Sequence, residues 1–571
     1  MPVLNASPLL TLHVSHSMKK YQSQINRKSD DYKQRRSYML ALLSELNLKL
    51  KEVKSVNPEA VEKLRRRGKY PAREKIQRVI DPGTEILEIG ALAAHDMYPD
   101  IPGGYPSAGT IIAVATVSSK KVVIMANDPL VKSGAWVETT CKKNLRAQEI
   151  AMDNRLPIIY MVDSAGVNLE RQAEIFPDKL HFGRIFRNNA KMAAMGIPQI
   201  SCVFGFCVAG GAYLPGMSSD LAMITNHSSM FLAGPFLVQS ALGQVVDMET
   251  LGGAKMHNAI SGVADYQFDS EDDAIQWIRD QVAAIGKRSS APFDQIRAEE
   301  PDCDPEEILG ILPASPTGTY EMREILARIV DGSRFEEFKP HFGPTLICCF
   351  ARIGGFAVGI VANQGKSVQR QMPPDAFGRP QPPQVQMGNV IYSDSANKAS
   401  HFIMLCNERL IPLIFLHDVT GFMVGKMAEN NGIIKDGAEM VNVQANSVVP
   451  KFTVVIRNSY GAGNYAMCGK AYDPRLIFSW PTARVAVMDG GIAADTVLLT
   501  KKELDDDARK KFRDELVKKY EYEASPYFSA ARLMTDGILD PRDTRKTLIW
   551  GLEMAQNNPD IPEYKTGVLR L

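Results

Sequence analysis

Two runs of small residues, Ala209-Gly210-Gly211-Ala212 and Gly461-Ala462-Gly463, each close a stretch of apolar, β-branched residues. Where a strand gives way to a helix through such a run, the first main-chain N–H groups of the helix are left uncovered by side chains. The helix dipole adds partial positive charge at the same place. A pair of such donors can hold negative charge as it develops on a carbonyl-type oxygen. Gly210 and Gly211 are the candidates in the first run, Ala462 and Gly463 in the second. Close helix–strand packing also calls for small residues, and only the recurrence of the run tilts the reading toward chemistry.

Other small-residue points stand nearby. Asp-Ser-Ala-Gly (163–166) and Asp-Val-Thr-Gly (418–421) follow apolar strands, the end at which α/β domains bind ligands. Asp163 and Asp418 are read as N-caps of the next helices. Lys-Ser-Gly-Ala-Trp (132–136) lines a substrate channel or forms an ordinary turn. His181, His257, His401 and His417 are isolated, so no Ser-His-Asp arrangement is supported by spacing. Neither a Walker-type phosphate loop nor a Gly-x-Gly-x-x-Gly after the first strand is present, which weakens kinase and dehydrogenase readings. The eight cysteines include no Cys-x-x-Cys pair, so metal is not expected, and buried free thiols in a reducing cytoplasm suit them better than disulfides.

The elements that must position the runs come in two similar sets. "KKVVIMAND" (120–128), "LPIIYMVDSAG" (156–166) and "IPQISCVFGFCVAGGAY" (197–213) are matched by "GFAVGIVAN" (355–363), "IPLIFLHDVTG" (411–421) and "VPKFTVVIRNSYGAGNY" (449–465). The same twelve-residue step leads from Pro198 to Gly210 and from Pro450 to Ala462. Equal order and spacing argue for two copies of one domain. Helical stretches at 141–154 and 395–410 alternate with the strands, giving βαβ units, and strands apolar throughout should be covered on both faces.

The 571 residues carry a net charge of +1, which gives no sign of nucleic-acid or membrane-surface binding, and no apolar run is long enough to span a bilayer. The first 28 residues hold no acid and read as a disordered or partner-covering arm. Residues 30–68 read as helical, with Tyr38, Leu40, Leu42, Leu43 and Leu46 along one broad face. The expected division is an arm and helical segment (1–67), a first domain (68–290), a Pro- and acid-rich linker (291–320) and a second domain (321–571). An insertion at 366–388 contains five prolines and is not expected to be regular throughout.

"FPDKLHFGRIFRNNAKMAAMGIPQI", "FLAGPFLVQSALG", "LGGAKMHNAISGVADY", "HDVTGFMVGKMAENNGIIKDGAEMV" and "SYGAGNYAMCGKAYDPR" resemble the carboxyltransferase (β) subunit of biotin-dependent acyl-CoA carboxylases, of the 3-methylcrotonyl-CoA and geranyl-CoA type. The resemblance implies an α/β fold of two tandem crotonase-like β-β-α superhelix domains behind an N-terminal helical segment. It implies a homohexamer whose sites lie where the first domain of one subunit meets the second of another. It implies that Gly210 and Gly211 stabilise an acyl-CoA enolate, and that Ala462 and Gly463 stabilise the biotin enolate left when carbon dioxide departs. Ser133, Gly134, Ala135, Ser164, Ala165, Gly166 and Ala212 would bind the acyl-CoA; Gly421, Phe422, Tyr460 and Gly461 would bind biotin. A biotin nitrogen would itself take the substrate proton. Without a Met-Lys-Met attachment motif or an ATP-binding domain, biotin and its carboxylase would reside on an α subunit. The setting implied is cytoplasmic, or the mitochondrial matrix in a eukaryote.

Two features depart from the family pattern: the insertion, and "VMDGGIAADTVLL" (487–499) in place of a Met-Gly-Gly-Glu-Gln-Ala pattern. They keep a second reading open, a glutaconyl-CoA-type decarboxylase subunit linked to a membrane sodium pump. A third is a non-catalytic scaffold for a biotin-carrying partner.

Overall fold

The computed structural model describes residues 18–315, 317–501 and 503–570. Two mixed sheets, each of eight strands, organise the chain. The short strand β1 (Lys19–Lys20) precedes β2 (Leu87–Ile89), β3 (Thr110–Val117), β4 (Lys120–Asn127), β5 (Ile158–Ser164), β6 (Gln199–Val208), β7 (Asp220–Ile224), β8 (Ser229–Phe231) and β9 (Tyr266–Phe268). The second half supplies β10 (Arg334–Glu337), β11 (Leu346–Ile353), β12 (Phe356–Asn363), β13 (Val368–Arg370), β14 (Gln384–Gln386), β15 (Val390–Ile391), β16 (Leu413–Val419), β17 (Gly421–Phe422), β18 (Lys451–Tyr460), β19 (Leu476–Ser479) and β20 (Arg484–Ala486).

The first sheet runs β2-β3-β4-β5-β6-β7-β9 with β8 beside β6; the second runs β1-β10-β11-β12-β16-β18-β19 with β20 beside β18. Antiparallel strands lead into parallel ones in both, three (β2, β3, β4) in the first sheet and four (β1, β10, β11, β12) in the second. Parallel neighbours need crossovers. Helices Glu138–Asn154 and Phe182–Ala194 serve the first sheet, Ser393–Glu408 and Ile433–Ala445 the second. This is the α/β architecture of tandem crotonase-like domains expected above.

Alternate side chains of each strand enter different cores, as the two-residue period dictates. Val123, Met125, Tyr160 and Val162 join Ile360, Ala362, Leu416 and Val454 in one layer between the sheets. Val122, Ile124, Ile159 and Met161 face a separate outer layer, and Val361, Leu413 and Phe415 face another. Phe293, Ile308, Leu309, Ile311, Leu312 and Tyr320, from the segment read as a linker, lie in the shared inner layer. Their burial makes that segment part of the core; the surrounding prolines and acids masked them.

The arm differs from expectation from residue 18 onward; residues 1–17 lie outside the described residues. Lys19–Lys20 adds a strand to β10. Lys20 pairs with Asp302, Arg27 with Asp304 and Glu307, and Glu324 accepts from Ser23 Oγ and the Gln24 N–H. A basic arm is thus held by an acidic segment. The expected long helix is two, Asp30–Lys54 and Pro58–Arg65. Its buried seam is Tyr32, Met39, Leu43, Leu46 and Val53, whereas Leu40 is exposed. The stripe is narrower than read because the helix touches the body along one edge. The insertion forms a β13–β14 hairpin closed by a proline-rich loop, in which Asp375 accepts the N–H groups of Phe377 and Arg379.

Candidate active site

Both small-residue runs stand at equivalent strand ends: Ala209–Ala212 follows β6, and Gly461 opens the helix Gly461–Ala466 after β18. In each, the first residue enters the left-handed region, Ala209 at φ 56 and Gly461 at φ 51. The residues after it return to negative φ. Successive N–H groups in such an alternation converge into a concavity suited to an anion. Neither run has a side chain capping its helix start. Gly210 and Ala462 are exposed, Gly211 and Ala212 partly so, and Gly463 is buried.

Added side chains would meet different surroundings in the two runs. A Cβ on Gly210 would find only Phe186 Cζ at 3.9 Å, and one on Gly211 would find nothing within 4 Å. Packing within the chain does not require these glycines. A Cβ on Gly463 would fall 2.6 Å from Val419 Cγ2 and 3.3 Å from Gly421 Cα; one on Gly461 would fall 2.9 Å from the Val487 carbonyl. There, helix–strand packing accounts for the small residues.

The other first-half candidates come together. The Ala165 N–H donates to the Ser133 carbonyl, Ser164 Oγ donates to the Gly134 carbonyl at 2.7 Å, and the Gly166 N–H donates to Ser164 Oγ. Gly134 sits at φ +68 with room for no Cβ, since one would lie 2.2 Å from the Asp163 carbonyl oxygen. Gly166 reaches the end of β6, where its Cβ would lie 3.5 Å from the Val208 carbonyl. In the second half, Gly421–Phe422 pairs with Val390–Ile391, and Gly421 borders Gly463. Tyr460 is buried before the run; burial pushes its hydroxyl up to about 12, so it remains neutral.

Asp163 and Asp418 are not N-caps. They are strand residues with side chains 5% and 0% exposed. Asp163 Oδ1 accepts the Phe206 N–H and Oδ2 takes Lys69 Nζ at 2.6 Å. Asp418 Oδ1 accepts the Asn458 N–H and Nδ2, and Oδ2 accepts the Tyr320 hydroxyl at 2.9 Å. Beside it, His417 lies between Ser459 Oγ, at 2.9 Å from Nδ1, and the Met467 carbonyl; burial lowers its pKa to about 4. Ser459 Oγ in turn accepts from Asn464 Nδ2, which ties the helix Gly461–Ala466 to β16 and β18. Single polar residues inside apolar runs gave no sign of this network.

The model of the family described as carboxyl transferase domain matches residues 63–569. The chain is 42% identical over 594 aligned residues to the probable mitochondrial methylcrotonoyl-CoA carboxylase beta chain of Drosophila melanogaster, covering 100% of this chain and 98% of that one. It is 43% identical over 539 residues to the biotin-dependent 3-methylcrotonyl-coenzyme A carboxylase beta1 subunit of Mycobacterium tuberculosis, covering 93% and 97%. The solved beta subunit of P. aeruginosa geranyl-CoA carboxylase aligns with a TM-score of 0.83 at 34% identity, covering 97% of this chain and 99% of that one. With two like sheets each ending in an uncapped N–H pair, the chain belongs to the carboxyl transferase domain family, as a carboxyltransferase subunit of the biotin-dependent acyl-CoA carboxylase type.

Proposed function

We propose that the chain moves a carboxyl group from carboxybiotin, carried on a separate α subunit, to an acyl-CoA of the 3-methylcrotonyl-CoA kind or another unsaturated or branched acyl-CoA. The observation that supports this most is the matched pair of left-handed kinks at Ala209 and Gly461, each followed by uncapped N–H groups. Biotin supplies a ureido carbonyl and a transferable carboxyl group. Gly210 and Gly211 donate to the thioester oxygen, where charge gathers as the acyl group loses its proton. Ala462 and Gly463 donate to the ureido oxygen as the carboxyl group leaves. The open space over Gly210 and Gly211 suits the close approach of a carbonyl. Losing one such donor costs about 10²–10³ in rate.

The site must also exclude water if carbon dioxide is to be captured. Large apolar side chains are bare in the single chain in both halves, among them Phe236 (90% exposed), Val245 and Ile260 in the first and Val424, Ile434 and Val487 in the second. Where such side chains gather, they mark association surfaces. In the proposal, the first half of one copy covers the second half of another, within a homohexamer. Ser133, Gly134, Ala135, Ser164, Ala165, Gly166 and Ala212 then border the acyl-CoA, and Gly421, Phe422, Tyr460 and Gly461 border biotin.

The test is turnover of the complex with its α partner, ATP, bicarbonate and a panel of acyl-CoA esters. ADP release that depends on an unsaturated or branched ester is expected. No release with any ester would overturn the proposal.

A further inference from the structure

We propose that Asp163 and Asp418 are positioning residues, each aiming the N–H pair that begins four residues beyond the backbone N–H it accepts. The inference rests on the donor reading above and extends it to the groups beneath the donors.

The two halves break their strand pairing at the same place. In the first sheet the register is regular up to Val162–Val203 and resumes at Ser164–Cys207. In the second it is regular up to His417–Val455 and resumes at Val419–Ser459. One aspartate therefore faces three residues of the next strand, Phe204–Phe206 in one case and Ile456–Asn458 in the other. A bulge of this kind bends a strand and re-aims the residues beyond it. Each bulge is filled by a carboxylate that accepts a main-chain N–H of the bulged strand, from Phe206 and from Asn458, both at 3.2 Å. On the other side, the N–H of Asp163 donates to Asn127 Oδ1 and that of Asp418 to Asn363 Oδ1. Three neighbouring strands are thus laced together beside each run.

The counter-charges arrive by different routes, which argues that the carboxylates are retained for their position. In the first half, Gly205 leaves the necessary room, since a Cβ there would fall 1.9 Å from Asp163 Oδ1. The cation comes from Lys69, distant in sequence. In the second half, the residue at the place of Gly205 is Arg457, whose Nε lies 3.8 Å from Asp418 Oδ2, and Tyr320 adds its hydroxyl. A buried carboxylate is costly and adds little net stability even when paired. Two of them, at equivalent bulges and with unrelated partners, are explained if each fixes the angle at which the chain enters its kink. Displacing a reacting-group contact by about 1 Å costs on the order of 10²-fold in rate.

The test uses the assembled complex carrying Asp163→Asn, Asp418→Asn, or the neutral pair Lys69→Met with Asp163→Asn. The paired variant keeps the first half testable should the single one fold poorly. Two rates are read: overall carboxylation, and loss of labelled carboxyl from the carrier without acyl-CoA. Overall kcat should fall about 100-fold in each variant, with KM for acyl-CoA changed less than threefold. Label loss should slow only in Asp418→Asn, because only the second run acts in it. Equal slowing of both rates in all variants, or kcat within threefold of wild type, would overturn the proposal. Gly211→Val and Ala462→Val cover the donors without touching the aspartates. Full turnover by both would instead overturn the donor reading itself.

Discussion

Glycines that look alike in the sequence differ in what surrounds them, and stability measurements should separate them. Gly463→Ala drives a Cβ to 2.6 Å from Val419 and is expected to cost about 1–3 kcal/mol in a denaturant melt. Gly211→Ala, with nothing within 4 Å, should melt like wild type. His417 gives a pH signature. Its neutral form is preferred in the fold, with its pKa lowered from 6.5 to about 4 by burial. Its contribution is present above pH 6.5 and is lost as pH falls toward 4, because the unfolded chain then binds the proton more readily. Urea melts of wild type should lose about 3 kcal/mol over that interval from this group, and His417→Gln should lose correspondingly less. The place of the two small-residue runs at strand ends was legible because apolar, β-branched residues lead into each of them. Asp163 and Asp418 were not, because an aspartate after a strand also suits an N-cap, and only the register break reveals the space it fills.

At the scale of elements, the duplicated strand–helix order was legible from spacing alone, since continuous apolar β-branched runs between amphipathic stretches have few other arrangements. What escaped were elements whose partners lie far away in sequence. The arm strand depends on β10, and the buried Ile308, Leu309, Ile311 and Leu312 depend on a layer contributed by both halves. Glu324 holds the arm through Ser23, Gln24 and the fully buried Arg328. Glu324→Gln should therefore loosen it. Limited trypsin digestion, followed by mass spectrometry, is expected to cut at Lys19, Lys20, Arg27 or Lys28 several-fold faster in the variant while the rest of the chain resists.

At the scale of the molecule, one polar knot joins the halves. Asp536 receives Arg146 from the first half through both oxygens at 2.8 Å, Lys470 at 2.9 Å and the Ile477 N–H at 2.9 Å. Burial works against its charge, yet Arg146 and Lys470 override it and hold the carboxyl well below the usual range. Its stabilising effect is full above the unfolded aspartate value of about 4 and disappears as pH falls further. Arg146→Met leaves buried Asp536 with Lys470 as its one cation among the described residues and should cost up to about 3–5 kcal/mol, read as a lower melting midpoint at pH 7. Association is the other molecular prediction: Phe236→Glu replaces a bare apolar side chain with a charge and should yield a smaller species by light scattering, with wild-type helix content.

The inner apolar layer, built from both sheets at once, has a mechanical corollary. No hinge can open between the halves without tearing that layer, so within one chain the gap from the first kink to the second is a fixed length. On the proposed reading, whatever passes between the two small-residue runs must bring its own reach. On that reading the protein is a stationary dock, and travel belongs to the tethered visitor.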